Sequence, residues 1–257
     1  MRDILEKLSK GQISVDEAER RLHIFAVEQV GDFARLDVNR DFRKGVPEII
    51  LGEGKTCEDV TAIVLKMLDE KGRAIISRLD KRQIEYLAKS IPEHTVCKVN
   101  DKTGIFVIRR SDIEVKRTGG KIGLLTAGTS DIPVAEESKV VAEEMGCEVV
   151  CAYDVGVAGI HRLFPPLREM MQKDVDAIVV VAGREGALPA VVAGLVDVPV
   201  IAVPTSIGYG LGEKGLSALT AMLQACSLGL AVVNIDGGVA AGVVAALIAN
   251  RVARTRD

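Results

Sequence analysis

The chain has 257 residues, 48% of them hydrophobic, enough to bury a sizeable core in one large domain or two smaller ones. Its 33 basic and 36 acidic residues leave a net charge of -3, which gives no electrostatic case for nucleic acid. Aromatics make up only 3% and tryptophan is absent, so stacking platforms for single strands are not expected. The first residues, MRDILEKLSKGQIS, are charged throughout and contain no apolar leader core. Ser14-Val-Asp-Glu17 reads as a capping box opening a helix to about Phe25. The stretch Asp37–Gly54 reads as irregular, with one short strand at Glu48–Leu51. Thr56 caps a helix to about Glu70, with Asp59 at its third position. Strands are expected at Ala74–Ser77, Thr95–Val99 and Ile105–Ile108, with a helix from about Lys81 to Lys89. Residues 1–118 therefore read as a small α+β domain.

At Gly119-Gly120 the rhythm changes, and residues 119–257 read as an α/β domain. Five apolar runs (IGLLTAG, EVVCAYD, DAIVVVAG, PVIAVPTS and LAVVNID) alternate with helical patterns. Runs this apolar suit parallel strands buried on both faces. The expectation is a doubly wound parallel sheet of the flavodoxin-like kind, in the order 2-1-3-4-5. The apolar stretch Gly237–Asn250 is shorter than the roughly 20 residues that span a bilayer, and its Gly and Ala content fits a buried helix. With no leader and no spanning segment, the chain reads as soluble and cytoplasmic.

Of the five cysteines, Cys147 and Cys151 are the only close pair, and their spacing is not C-x-x-C. Five is an odd number in a chain of this length, so structural thiols are expected rather than a disulfide framework or a zinc site.

Ligands of open α/β sheets bind beyond the carboxyl ends of the strands, which singles out the loops there. The first carries Gly128, Ser130 and Asp131, and the amides of the helical turn that follows suit a phosphate as well as an ordinary cap. Neither G-x-G-x-x-G nor a Walker lysine is present. The second loop carries Asp154, His161 and Arg162, a set suited to acid–base work or to holding phosphate, hydroxyls or metal, unless His161 simply hydrogen-bonds a loop carbonyl. In the third, Glu185 stands between glycines before a helix, either as a cap or as a site carboxylate. The fourth, Pro204–Gly212 with Gly208 inside it, is long and flexible enough to fold over a ligand. Cys226 continues the apolar stripe of Leu216, Leu219 and Leu223, so on pattern alone it reads as a core thiol in a helix.

As a set, AGTSD, GIHR, AGREGALP and GLSALTAMLQAC resemble the loops and helix of the PurE carboxylase/mutase superfamily. The resemblance departs at Gly186 and Ala187, where PurE carries a histidine. It is closer, and spans nearly the whole chain, to the LarB-type pyridinium-3,5-biscarboxylic acid mononucleotide synthases of nickel pincer cofactor biosynthesis. D-x-x-R-x-x-R-x-G-x-P-E at Asp37–Glu48, GEGKT, YDVGVAGIHR and VVNIDGGVAAG carry that match.

The resemblance implies carboxylation of nicotinic acid adenine dinucleotide with CO2 or bicarbonate and cleavage of its phosphoanhydride. Cys226 would add to the pyridinium ring, with Glu185 and His161 as further catalytic groups. Gly128, Ser130, Asp131, Asp154, Arg162 and Gly208 would bind substrate, with Arg40 and Arg43 clamping the dinucleotide. No organic cofactor is implied, and the diphosphate makes Mg²⁺ a candidate. A homo-oligomer, an octamer in the superfamily, is expected, and the Gly/Ala-rich last helix is a candidate for close packing within it. The alternatives are a PurE-type mutase acting on an aminoimidazole ribonucleotide, and a nucleotide-binding regulator without turnover.

Overall fold

Thr56 accepts a hydrogen bond from the Asp59 amide at 3.1 Å and starts the longest helix of the first half. In the computed structural model, which describes residues 2–23, 27–100 and 103–256, the chain divides into two compact units, residues 1–114 and 115–257.

The first unit opens with α1 (Arg2–Ser9) and α2 (Val15–His23), the latter entered through a Ser14 Oγ bond to the Glu17 amide. Phe25, the expected end of that helix, lies outside the described residues. A hairpin follows, β1 (Glu28–Val30) with β2 (Ala34–Leu36). Then come α3 (Arg40–Lys44), β3 (Ile49–Leu51), α4 (Cys57–Lys71), β4 (Arg73–Ser77), α5 (Lys81–Ser90), β5 (Thr95–Asn100) and β6 (Ile105–Arg110). The sheet order is β3-β4-β6-β5, with only β3 and β4 parallel.

Val60, Ile63, Val64, Met67 and Leu68, spaced by three and four on α4, pack on Ile76, Phe106 and Ile108 of the sheet. The stretch read as irregular thus contains a helix. It is one turn long, closed by Gly45 at φ 68°, whose N–H donates to the Asp41 carbonyl. A helix that short leaves no periodicity to detect.

The second unit alternates β7 (Lys121–Thr126), α6 (Ile132–Glu144), β8 (Glu148–Ala152), α7 (Phe164–Gln172), β9 (Ala177–Ala182), α8 (Leu188–Ala193), β10 (Val200–Pro204), α9 (Leu216–Leu223), β11 (Leu230–Val232) and α10 (Gly238–Ala253). All five strands are parallel and lie in the order β11-β10-β9-β7-β8, which is the expected 2-1-3-4-5 order. Every residue of β9 and β10 is buried, as a sheet covered on both faces requires.

The small residues of α10 are used within the chain. A Cβ on Gly242 would stand 2.5 Å from the Ser138 carbonyl of α6, and the Ser138 hydroxyl donates to the Gly238 carbonyl at 2.7 Å. The small-residue face of α10 that carries Gly238 and Gly242 thus packs against α6. Among the described residues, no helix is long and apolar enough to cross a membrane.

Candidate functional site

Beyond the carboxyl ends of β7, β8, β9 and β10, four loops enclose a cavity of about 740 Å³. Its lining includes Gly128, Ser130 and Asp131 from the first loop and Asp154, Gly156 and Arg162 from the second. Gly183, Arg184 and Glu185 come from the third, and Ile207, Gly208 and Tyr209 from the fourth. The loops approach closely because glycine lets them. A Cβ on Gly156 would sit 2.5 Å from the Ala127 carbonyl, and one on Gly183 would sit 2.5 Å from the Ile207 carbonyl.

Asp131 ties the floor together. Its carboxylate accepts from the Gly128 amide at 2.9 Å and from the buried Thr205 hydroxyl at 2.8 Å, and the Gly183 amide adds a third bond. Burial outweighs these bonds and pushes the Asp131 carboxyl above the usual range, and Asp236 nearby adds to the shift. A raised acid makes its full contribution to stability below the unfolded value of 3.8 and loses it as pH rises through the folded pKa. The stability advantage of the native chain over Asp131→Asn should therefore shrink as pH rises from about 3.5 towards neutrality, read by urea denaturation at each pH. A difference that stays constant with pH would rule this out.

On the second loop, Asp154 adopts φ 58° and donates its amide to Thr126 Oγ1 at 3.0 Å. Its carboxylate takes Arg162 Nη1 at 2.6 Å, so the two form a polar wall of the cavity. His161 lies on the same turn, exposed, and is not among the lining residues.

The third loop is a tight turn, with the Gly186 amide on the Gly183 carbonyl. Gly186 has φ 63°, and a Cβ there would meet the Ala218 carbonyl at 2.8 Å, so no side chain fits at that position. Glu185 is exposed and has no hydrogen-bond or ion-pair partner among the described residues. Arg184 has φ 56°, and its guanidinium lies 4.2 Å from the centre of the Tyr209 ring. Sequence reasoning missed Arg184, Thr205 and Tyr209.

Cys226 corrects a reading. The helix α9 ends at Leu223, so Cys226 lies beyond it on an exposed segment and is not a core thiol. The buried face of α9 carries Ala218 and Met222, while Leu216 and Leu223 of the expected stripe face outwards. Ser227, next to the cysteine, anchors the segment to the Ala190 carbonyl at 2.6 Å. Cys226 is not among the residues lining the cavity. The other thiols of this unit behave differently. Cys147 is buried, and burial pushes its thiol up to about 11, while Cys151 is half-buried and pushed up for the same reason.

Arg40 and Arg43 belong to the first unit. Arg43 forms a double contact with the Asp37 carboxylate, and Arg40 Nε lies 3.0 Å from Glu48 Oε2. Among the described residues, no group of three His, Cys, Asp or Glu side chains is arranged to hold a metal ion.

A family model described as a LarB/PurE-like N-terminal domain matches residues 27–110, and one described as AIR carboxylase matches residues 121–256. The chain is a LarB-like member of the PurE superfamily. It is 47% identical, over 97% of its length and 96% of the relative's, to an uncharacterised protein of Methanocaldococcus jannaschii. Two N5-carboxyaminoimidazole ribonucleotide mutases match about half of this chain. The one from the same archaeon is 35% identical over 48% of this chain and 75% of its own length. The one from Thermotoga maritima is 27% identical over 50% of this chain and 74% of its own length. This chain thus belongs to a carboxylase-type family and joins the AIR carboxylase-like domain to a LarB/PurE-like N-terminal domain.

Proposed function

We propose that the protein carboxylates the pyridinium ring of nicotinic acid adenine dinucleotide and cleaves its phosphoanhydride. The products are pyridinium-3,5-biscarboxylic acid mononucleotide, a precursor of the nickel pincer cofactor, and AMP. One observation carries the reading. A PurE-type cavity lined by Glu185, and by no histidine among the described residues, belongs to the unit that exposes the thiol Cys226.

An electron-poor ring needs a donor before it can attack CO2, and a thiolate supplies one. The Cys226 sulfur adds to a ring carbon, the C–S bond forms, and the ring electrons settle on nitrogen. The resulting enamine carbon attacks CO2 to form a C–C bond. Loss of the proton from that carbon and then of the thiolate restores aromaticity and frees Cys226. In the second reaction water attacks phosphorus, and AMP leaves as the P–O–P bond breaks.

Gly128 and Ser130 at the start of α6 receive phosphate oxygens, Arg162 adds charge beside Asp154, and Gly208 lets the fourth loop lie close to the ligand. The working form is a homo-oligomer. Leu216, Leu223 and Leu228 (the last 90% exposed) are exposed apolar residues near Cys226 in the chain, and covering them with a second copy would bring the thiol to a cavity.

Incubation with the dinucleotide and bicarbonate should give the dicarboxylated mononucleotide and AMP by chromatography and mass spectrometry. Absence of both products from the folded chain would end this reading. Turnover of an aminoimidazole ribonucleotide instead would assign it the mutase reaction of its shorter relatives.

A further inference from the structure

Two arginines line the cavity, and they are used differently. Arg162 is committed to Asp154. The Arg184 guanidinium has no carboxylate partner among the described residues, not even Glu185 beside it, and its only contact is the face of Tyr209. Its backbone stands in the left-handed region, where arginine is costlier than glycine. An arginine stacked on an aromatic face keeps its N–H donors, which lie in its own plane, free for a planar anion. Tyr209 itself is 76% exposed where it lines the cavity, and its ring stacks with Arg184.

We propose that Arg184 is the site for the ring carboxylate of the substrate, with Tyr209 as its positioning residue. The ligand class is an electron-poor six-membered ring bearing a carboxylate, which Arg184 distinguishes from the same ring bearing an amide. Two parallel N–H···O bonds form with the carboxylate. An amide presents one acceptor and a donor that faces the guanidinium donors unproductively. The inference rests on the dinucleotide reading above and adds to it the basis of choice between the acid and amide forms.

The test is calorimetric titration of the full-length protein with nicotinic acid adenine dinucleotide and with nicotinamide adenine dinucleotide, together with kcat and KM for the acid form. The native chain should prefer the acid form by about 10- to 100-fold, the range expected of a charge-assisted pair. Arg184→Gln should bring the two affinities within about threefold of each other, chiefly by weakening the acid form, and Arg184→Lys should keep part of the preference. Tyr209→Ala should lower the preference and raise KM more than it lowers kcat, and Tyr209→Phe, which retains the stacking face, should restore both. Unchanged preference in Arg184→Gln overturns the assignment and leaves the dinucleotide reading intact. Equal weakening of both forms moves Arg184 to a phosphate and also overturns it. A native chain that binds neither dinucleotide overturns the underlying reading and this inference with it.

Discussion

Replacing Cys226 with alanine is expected to lower formation of the dicarboxylated mononucleotide by about 10⁴-fold or more, the scale of losing an essential nucleophile. The substitution removes a side chain that is exposed and has no hydrogen-bond partner among the described residues. Folding stability should therefore stay within about 0.5 kcal/mol of the native chain. Dinucleotide affinity should hardly change, because the cavity walls come from other residues. The loss then falls on kcat. Intact-protein mass spectrometry supplies the second readout: a dinucleotide adduct on the native chain, none on Cys226→Ala. Cys147 and Cys151 are internal controls, since burial pushes both thiols up and away from the reactive thiolate form. Near-native turnover by Cys226→Ala would end the covalent mechanism.

How much of this was legible in the sequence depends on which physical rule wrote it there. The strands of the second unit were readable because burial on both faces leaves no room for polar residues, as in AIVVVA of β9. Right-handed crossovers then restricted the strand order, and the rule for strand ends located the cavity. The side chain that Cys226 presents was not readable. The segment around α9 is apolar on more than one side, so periodicity offered the Leu216, Leu219, Leu223 stripe as the inward face. The close approach of Gly186 to the Ala218 backbone turned the opposite face, with Ala218 and Met222, into the core. That contact joins positions 32 residues apart, and no local pattern records it.

The same limit hid the floor and the mouth of the cavity. Thr205 ends an apolar run and looked like the start of a loop, yet its hydroxyl holds the buried Asp131 carboxylate. Asp131 is expected either as a cap or as a substrate contact. Its three protein donors make it a brace that holds the first, third and fourth loops together, with its edge at the cavity. Arg184 and Tyr209 sit on separate loops 25 residues apart and meet only when the sheet has ordered its strand ends. The positive φ of Arg184, like that of Asp154, is a local hint that becomes visible only with backbone angles.

Glu185→Gln should leave the thiol adduct on Cys226 in place and slow release of AMP by about 10²- to 10⁴-fold, the range for losing a group that orients or deprotonates water. Glutamine keeps the shape and removes the charge, and Glu185 has no ion pair to break among the described residues, so structure and binding should persist. The variant separates the two halves of the reaction: mass spectrometry reads the adduct, and chromatography reads AMP. Combined with Cys226→Ala, it also tests which chain supplies the thiol. Cys226 is not among the residues lining the cavity that holds Glu185, and the two-copy arrangement proposed above would bring them together. Two inactive variants unfolded together and reassembled in equal amounts would then regain activity, because about one site in four pairs a native Cys226 with a native Glu185 from the neighbouring chain. If both residues act within one chain, no reassembled site carries both, and the mixture stays inactive. Activity near one quarter of native therefore assigns the thiol to the neighbouring copy. It also makes the exposed leucines beside Cys226 the surface across which the active site is completed.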